Sequence, residues 1–157
     1  MLQRLRGVCK CLGSHEVRYL VIGGIAAVLH GVPRNTFDLD ILIEATPENA
    51  QRLLDAFAEA GLGTASLTSV DELLANEVTI FQDRVHIDVQ TATPGLAFEE
   101  AWKRRQEIDY GGLMFPVVCR EDLIASKLAA GRAIDLEDVR ALRAGEAPPP
   151  PDNSPAQ

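Results

Sequence analysis

Apolar and polar positions along the chain follow two different periods, and the alternation between them predicts interleaved helices and strands. Apolar residues recur at helical spacing over 2–12, whereas over 37–43 they alternate with polar residues, as in a strand with one buried face. Further strands are predicted over 18–22, over 77–81 and 85–90 with a hairpin turn at 83–84, and on both sides of a 111–112 turn, ending near 118. Further helices are predicted over 25–30, 47–60, 93–105, 121–130 and 135–143, with a short one after residue 69.

Capping residues support the predicted helix ends. Thr46 followed by Pro47 is typical of a helix start, and Ser69 with Glu72 three positions later is a capping-box pattern. Three glycines stand where C-terminal caps are expected, namely Gly13, Gly61 and Gly131.

The order of these elements predicts one α/β (α+β) domain, with a mixed β-sheet flanked by helices. A chain of 157 residues is long enough for a domain that needs neither a disulfide nor a metal to hold it together. We expect this domain to span residues 1–144. Residues 145–157 include four consecutive prolines and lack the apolar pattern of a core segment, so they are predicted to be a disordered tail.

Charge and apolar runs exclude several classes of protein. The 15 basic and 23 acidic residues give a net charge of -8, the opposite of a protein that coats nucleic acid. The longest apolar run, 19–29, is interrupted by two glycines and is too short to span a bilayer, and no signal-peptide pattern opens the sequence. We therefore expect a cytoplasmic protein without membrane contact. The cysteines lack a second ligand pair for zinc and are predicted to be reduced.

Two carboxylates lie two positions apart on the predicted strand 37–43. Asp38 and Asp40 therefore project from one face of that strand. The residues of the other face are predicted to pack into the core, and they are Phe37, Leu39, Ile41 and Ile43. A carboxylate pair of this kind can hold a divalent cation through its oxygens, although most such pairs are solvated strand edges.

A third carboxylate lies on the predicted strand 85–90, where Asp88 stands between apolar residues. If this strand pairs beside 37–43, Asp88 joins the other two acids on one face. Three carboxylates on adjacent strands could hold two magnesium ions about 3.5–4 Å apart for in-line phosphoryl chemistry. The alternatives are that Asp88 caps a strand end or pairs with Arg84.

Gly23 and Gly24 lie between a predicted strand and a predicted helix. A turn of this type lets the backbone approach a phosphate closely and directs helix N–H groups toward it. Asp38 follows Gly24 by fourteen residues, which allows the chain to return as a neighbouring strand and brings the turn near the carboxylates.

Together these motifs resemble a known family. The order Gly23-Gly24, Arg34-x-Thr36-x-Asp38-x-Asp40 and an isolated Asp88 is similar to that of the DNA polymerase beta-like nucleotidyltransferase superfamily. The likeness is greatest to its small bacterial members, the minimal nucleotidyltransferases and the AbiE-type toxin group. It covers residues 18–142, and most of it lies in the stretch GGIAAVLHGVPRNTFDLDILIE.

The resemblance implies the fold of that superfamily and a magnesium-dependent activity. A nucleoside monophosphate would pass from a nucleoside triphosphate, with ATP expected, to a hydroxyl, and pyrophosphate would be released. Asp38 and Asp40 would ligate two magnesium ions, and Asp88 would ligate the catalytic ion and act on the acceptor hydroxyl as a base. Gly23 and Gly24 would cradle the triphosphate. The family often has a serine after the glycines, where this chain has isoleucine.

Further nucleotide-binding candidates are Arg34, Thr36 and Lys127. Lys127 could reach the triphosphate as a point charge or be a surface lysine. Arg34 could contact phosphate or form a salt bridge with Asp38.

Other polar residues are assigned structural roles. Asp135 and Asp138 are interpreted as the N-cap and a first-turn acid of the last helix rather than metal ligands, with Arg132 pairing with one of them or with phosphate. His30 and His86 are interpreted as structural. Trp102, beside the basic residues 103–105, is interpreted as a partly buried anchor rather than a platform for a nucleobase.

Two other functional interpretations stay open at this point. The chain could be an inactive nucleotidyltransferase-like binding module, for example a toxin–antitoxin component, or a small α/β protein whose acids are surface features. For the enzyme, the acceptor hydroxyl could belong to a small molecule, a tRNA 3′ end or a protein, and a partner protein or a second copy of the chain could help to bind it.

Overall fold

The structure is a computed structural model that describes residues 2–145. The predicted tail therefore lies, apart from Gly145, outside the described residues. The strands are β1 Tyr19–Ile22, β2 Asp38–Ile43, β3 Val78–Gln82, β4 His86–Gln90, β5 Gln106–Tyr110 and β6 Leu113–Val117. The helices are α1 Leu2–Ser14, α2 Gly23–Leu29, α3 Pro47–Glu59, α4 Val70–Ala75, α5 Phe98–Lys103, α6 Arg120–Ala130 and α7 Ala133–Ala144, and a short 3-10 helix spans Gly63–Leu67.

The strands form one mixed six-stranded sheet, as the sequence predicts. Its order is β3-β4-β2-β1-β6-β5. The pairs β1–β2, β3–β4 and β5–β6 are antiparallel, whereas β2–β4 and β1–β6 are parallel. The parallel pair β2–β4 sits in the half of the sheet that carries the predicted carboxylates.

One face of this sheet half is apolar. Leu39, Ile87 and Phe81 are neighbours across β2, β4 and β3, and all three are buried. Helix α3 covers them, since the Phe57 ring meets the Phe81 ring edge-on with centroids 5.0 Å apart. The aspartates alternate with this apolar set and therefore lie on the opposite face of the sheet.

Phe37 is a correction to the predicted core. The alternation of the segment predicts that Phe37 is buried with Leu39, but β2 begins at Asp38 and the Phe37 side chain is 74% exposed. The residue lies before the first ladder position, where no cross-strand neighbour fixes its side chain against the core.

Three helix boundaries also differ from prediction. Helix α5 begins at Phe98 rather than at residue 93, because Thr93 bridges to Leu96 and forms a turn instead. Gly23 and Gly24 belong to α2 itself, and α7 begins at Ala133.

The predicted caps at Thr46, Ser69 and Gly131 are confirmed. The Thr46 hydroxyl accepts from the Asn49 amide, the Ser69 hydroxyl accepts from the Glu72 amide, and Gly131 adopts φ 68°. Gly13 is wrong as a cap, since it lies inside α1 and the left-handed residue that follows the helix is Glu16.

None of the helices in residues 2–145 combines the length and the apolar character needed to cross a membrane.

Candidate active site

Asp40 and Asp88 lie side by side on neighbouring strands. The parallel register of β2 and β4 pairs Asp40 with Asp88 and Asp38 with His86. The Asp40 and Asp88 side chains share a hydrogen bond, and Asp88 also contacts the His86 ring at 2.9 Å between Oδ1 and Nε2. The structure thus forms the predicted juxtaposition, and Asp88 is not paired with Arg84, which instead donates to the Ala60 carbonyl.

The environment of Asp40 opposes its negative charge. Burial, the hydrogen bond to Asp88 and the charges of Asp88 and Asp38 raise the pKa of Asp40 to about 7, and the Arg132 charge offsets this only in part. Two carboxyl groups held in contact can both ionise at little cost only if a cation joins them.

The glycine turn lies directly against this carboxylate pair. Gly23 has φ 68° and follows Ile22, which is paired with Asp40 in the β1–β2 ladder. A Cβ atom on Gly23 would lie 2.4 Å from Asp40 Oδ2, and one on Gly24 would lie 2.9 Å from Thr36 Oγ1. Only glycine therefore lets the backbone approach Asp40 this closely.

We expect Gly23→Ala to destabilise the fold by about 1–3 kcal/mol, because alanine disfavours the left-handed conformation and its Cβ would displace the Asp40 carboxylate. Gly13→Ala is the matched control, since nothing lies within 4 Å of a Cβ there and the position is helical. The Gly13→Ala variant should be more stable than the native chain by up to about 1 kcal/mol. Urea unfolding of both variants measures the difference, and equal stabilities would contradict the close approach.

A network of buried charged side chains lies beside the glycine turn. The Lys127 side chain is 4% exposed, and its Nζ lies 2.7 Å from Asp138 Oδ2 and 3.4 Å from Asp135 Oδ1. Arg34 Nη1 donates to Asp138 Oδ2 at 2.6 Å. The surface interpretation of Lys127 is therefore wrong, and Arg34 pairs with Asp138 rather than with Asp38.

Arg132 completes the network. Its guanidinium donates to both Asp135 oxygens, at 2.7 and 3.2 Å, and its backbone N–H donates to Asp135 Oδ2 at the start of α7. Asp135 is thus a first-turn acid rather than the predicted N-cap, since the N-cap is Arg132, and Asp138 is a buried acid further along the helix. Three cations face two carboxylates here, which leaves a net positive charge beside the glycines.

The ion pairs of Asp135 should make the free energy of unfolding depend on pH. Burial by itself raises the pKa of its carboxyl, but the Arg132 hydrogen bonds and the Lys127 and Arg132 charges outweigh burial and hold this pKa below its usual value. A depressed pKa in the folded state contributes stability that is complete above the unfolded pKa and is lost as pH falls through the folded one.

We therefore expect Asp135→Asn to be less stable than the native chain at pH 7, with a difference that shrinks as pH falls below about 4. Denaturant midpoints measured across this range test the expectation. Asp71, an exposed first-turn acid of α4, gives the control Asp71→Asn, which should stay within about 0.5 kcal/mol throughout. A difference for Asp135→Asn that does not vary with pH would contradict the assigned ion pairs.

A single cavity of about 440 Å³ connects these parts. Its lining includes every residue that the sequence predicts for the site, namely Gly23, Gly24, Arg34, Thr36, Asp38, Asp40, Asp88 and Lys127. Arg132 and Asp135 also line it, together with Val78 and Gln90 from the β3–β4 hairpin. The carboxylates, the glycine turn and the cations thus face one shared space.

Comparison with protein families decides to which group the chain belongs. Residues 3–144 match the profile of a family described as nucleotidyltransferase of unknown function (DUF6036). The chain belongs to this nucleotidyltransferase family. A comparison with curated proteins finds no match.

Solved structures share the fold of this nucleotidyltransferase. TM1012 of Thermotoga maritima, which is provisionally assigned as a nucleotidyltransferase, superposes with a TM-score of 0.57 at 19% identity, covering 88% of this chain and 89% of its own. The lincomycin-bound lincosamide antibiotic adenylyltransferase LnuA gives a TM-score of 0.58 at 16% identity, covering 92% and 97%. At these identities the likeness shows the fold, and it confirms the predicted architecture.

Two of the three predicted metal ligands lie together in this nucleotidyltransferase, and the third, Asp38, lies apart from them. Asp40 and Asp88 already share a site, and their contact creates the charge conflict that a cation relieves. Within residues 2–145, no three His, Cys, Asp or Glu side chains are arranged to hold a metal ion as they stand. Asp38, at the exposed start of β2, would have to turn toward the pair to complete the predicted set.

Sequence reasoning undervalued two features of this site. It assigned Asp138 to the first turn of the last helix, whereas Asp138 is a buried partner of Lys127 and Arg34. His86, which is interpreted as structural, holds Asp88 through a ring contact that the sequence did not predict. Trp102 is confirmed as a partly buried anchor, since it stacks on Phe98 and has the Arg105 guanidinium 3.8 Å from its ring centroid.

Proposed function

We propose that this family member is a magnesium-dependent nucleotidyltransferase that moves a nucleoside monophosphate from a nucleoside triphosphate to a hydroxyl. The observation that carries the proposal is the pairing of Asp40 with Asp88 in register, inside the cavity that also holds the glycine turn and Lys127. Carboxylates beside a cationic, glycine-lined pocket are the groups that phosphoryl chemistry requires.

The cationic side of the cavity would bind the triphosphate. Gly23 and Gly24 line the cavity without side chains of their own, and Thr36 and Arg34 lie against Gly24. Lys127 is held rigidly by two carboxylates and adds a fixed positive charge to the same wall. This arrangement would place the β- and γ-phosphates at the glycines and the α-phosphate near Asp40.

In the transfer step, the acceptor oxygen attacks the α-phosphorus and the bond from that phosphorus to the bridging oxygen breaks. A new phosphorus–oxygen bond joins the nucleoside monophosphate to the acceptor, and pyrophosphate leaves with the bonding electrons. Asp88 would receive the hydroxyl proton. Asp38, Asp40 and Asp88 would hold magnesium, which when bound neutralises phosphate charge and lowers the pKa of the attacking hydroxyl.

ATP is the donor to test first. The adenylyltransferase activity in the name of LnuA, which shares the fold, supports this choice. Base preference depends on the shape of the pocket beyond the triphosphate, so all four nucleoside triphosphates belong in the comparison.

The alternative is a binding module without turnover. Ile25, which stands where related proteins often have serine, is fully buried and offers no hydroxyl to a phosphate, and this observation favours the alternative. Such a module would bind a nucleotide or a partner protein, for example in a toxin–antitoxin pair, and would release no pyrophosphate.

Pyrophosphate release decides between the two. The full chain is incubated with each nucleoside triphosphate, a bacterial extract as the source of acceptors, and magnesium or excess chelator. The proposal predicts release that requires both magnesium and extract. Magnesium-dependent nucleotide binding by calorimetry without any release would instead support the binding module.

A further inference from the structure

The carboxylate face of the sheet continues beyond Asp88 onto the edge strand β3. The register gives one cross-strand row in the order Ile22, Asp40, Asp88 and Ile80. Ile80 therefore lies one strand, about 5 Å, beyond Asp88 on the same face. Val78 pairs with Gln90 in the next row and lines the same cavity.

The geometry of in-line transfer assigns the two ends of this row. The attacking and leaving oxygens lie on opposite sides of the phosphorus. The glycine turn follows Ile22, at the β1 end of the row, and the leaving pyrophosphate belongs there. The attacking hydroxyl must then approach from the β3 end, over Ile80.

Two large apolar side chains are exposed at this end. Ile80 is 59% exposed and Val78 is 46% exposed, although both lie on the face that carries the carboxylates. Strand β3 is the edge of the sheet, so no further strand covers them within the described part of the chain. Adjacent exposed apolar side chains next to a catalytic cavity are typical of a ligand-binding surface.

Charge is divided between the two halves of the cavity. Its cations Arg34, Lys127 and Arg132 come from the α2–β2 connection and from the α6–α7 region. The β3–β4 hairpin contributes Val78, Asp88 and Gln90, none of which is positively charged. Arg84, at the tip of this hairpin, points to the Ala60 carbonyl instead. A phosphate-bearing acceptor would thus meet carboxylates without cations to bind it.

We propose that the acceptor lies on Ile80 and Val78 and is an uncharged hydroxyl compound whose carbon skeleton packs on these two side chains. This inference rests on the proposed function, because it uses the direction of transfer. It selects small uncharged acceptors over the tRNA 3′ end. Ile80 and Val78 would contact the acceptor carbons that neighbour the hydroxyl, and the hydroxyl itself would lie beside Asp88.

The test divides a bacterial extract into anionic, cationic and uncharged pools by ion exchange. Each pool is incubated with the full chain, magnesium and each α-labelled nucleoside triphosphate in turn. The inference predicts that label is transferred to the uncharged pool. Transfer confined to the anionic pool, which holds RNA and phosphorylated metabolites, or to the cationic pool would overturn it. Magnesium-dependent nucleotide binding without transfer to the uncharged pool would also contradict the acceptor class, whereas loss of that binding would contradict the proposed function.

Two variants test where the acceptor binds. Ile80→Lys should lower transfer to the uncharged pool by about tenfold or more through a higher KM for the acceptor, with nucleotide affinity unchanged. Leu67→Lys is the matched control, because Leu67 is also exposed and apolar (79%) but lies in the 3-10 helix, whereas Ile80 is the cross-strand neighbour of Asp88. Unchanged transfer in Ile80→Lys, or an equal loss in both variants, would place the acceptor elsewhere.

Discussion

Asp40→Asn should abolish nucleotidyl transfer while leaving the fold intact. The substitution keeps the size of the side chain but removes one of the two carboxylates that meet across β2 and β4. We expect kcat/KM to fall by at least about a thousandfold, on the scale seen when a group that acts within a catalytic set is removed. Radiolabel transfer from an α-labelled nucleoside triphosphate measures the loss.

Stability separates this result from simple unfolding. Because Asp40→Asn removes a negative charge held against Asp88 and near Asp38, the variant should be at least as stable as the native chain at pH 8. Asp55→Asn, on the exposed surface of α3, is the control and should leave both transfer and stability unchanged. Transfer of label at the native rate by the Asp40→Asn protein would show that Asp40 takes no part in the reaction.

Lys127→Met should be the most destabilising single change in the site. Its ammonium group bridges Asp135 and Asp138 inside the protein, and methionine would leave these buried carboxylates with only Arg132 and Arg34 as partners. Removing one member of a buried ion pair costs about 3–5 kcal/mol, and the remaining arginines place this case near 3 kcal/mol. Urea unfolding at pH 7, followed by the fluorescence of the single tryptophan, gives the value.

The matched control is Lys103→Met. Lys103 is exposed at the end of α5 and its ammonium lies 3.6 Å from Glu100, so its removal should change the free energy of unfolding by less than about 0.5 kcal/mol. If Lys127→Met shifted stability no more than this control, the buried position of Lys127 would be wrong.

The positions of the carboxylates could be predicted from the sequence because strand periodicity determines which face each side chain lies on. Asp38 and Asp40 share a face by spacing alone, and only the pairing of their strand with that of Asp88 had to be assumed. The structure supplies that pairing as a parallel ladder with Asp40 opposite Asp88. The glycine turn could be placed near the carboxylates because only one short helix and a loop lie between Gly24 and the strand that carries Asp38.

Features that depend on tertiary packing could not be predicted in this way. A lysine in an amphipathic helix has the same local pattern whether it is exposed or buried, and only the docking of α7 on α6 brings Asp135 and Asp138 to Lys127. The turn at Thr93 has a helix-start signal, but a Cβ on Gly95 would lie 2.8 Å from the Ala125 carbonyl, so close packing against α6 favours the turn. Ile80 is likewise apolar by pattern, and its exposure follows from the edge position of β3.

The position of the label in the product tests the central claim most directly. The full chain is incubated with magnesium and bacterial extract, and with ATP labelled at either the α- or the γ-phosphate, beside the Asp40→Asn variant. Relative to extract alone, we expect the native chain to move the α-label to an acceptor and to release the γ-label as pyrophosphate, and we expect the variant to do neither. Transfer of the γ-label to an acceptor that extract alone does not label, or identical products from the variant, would contradict nucleotidyl transfer at this site.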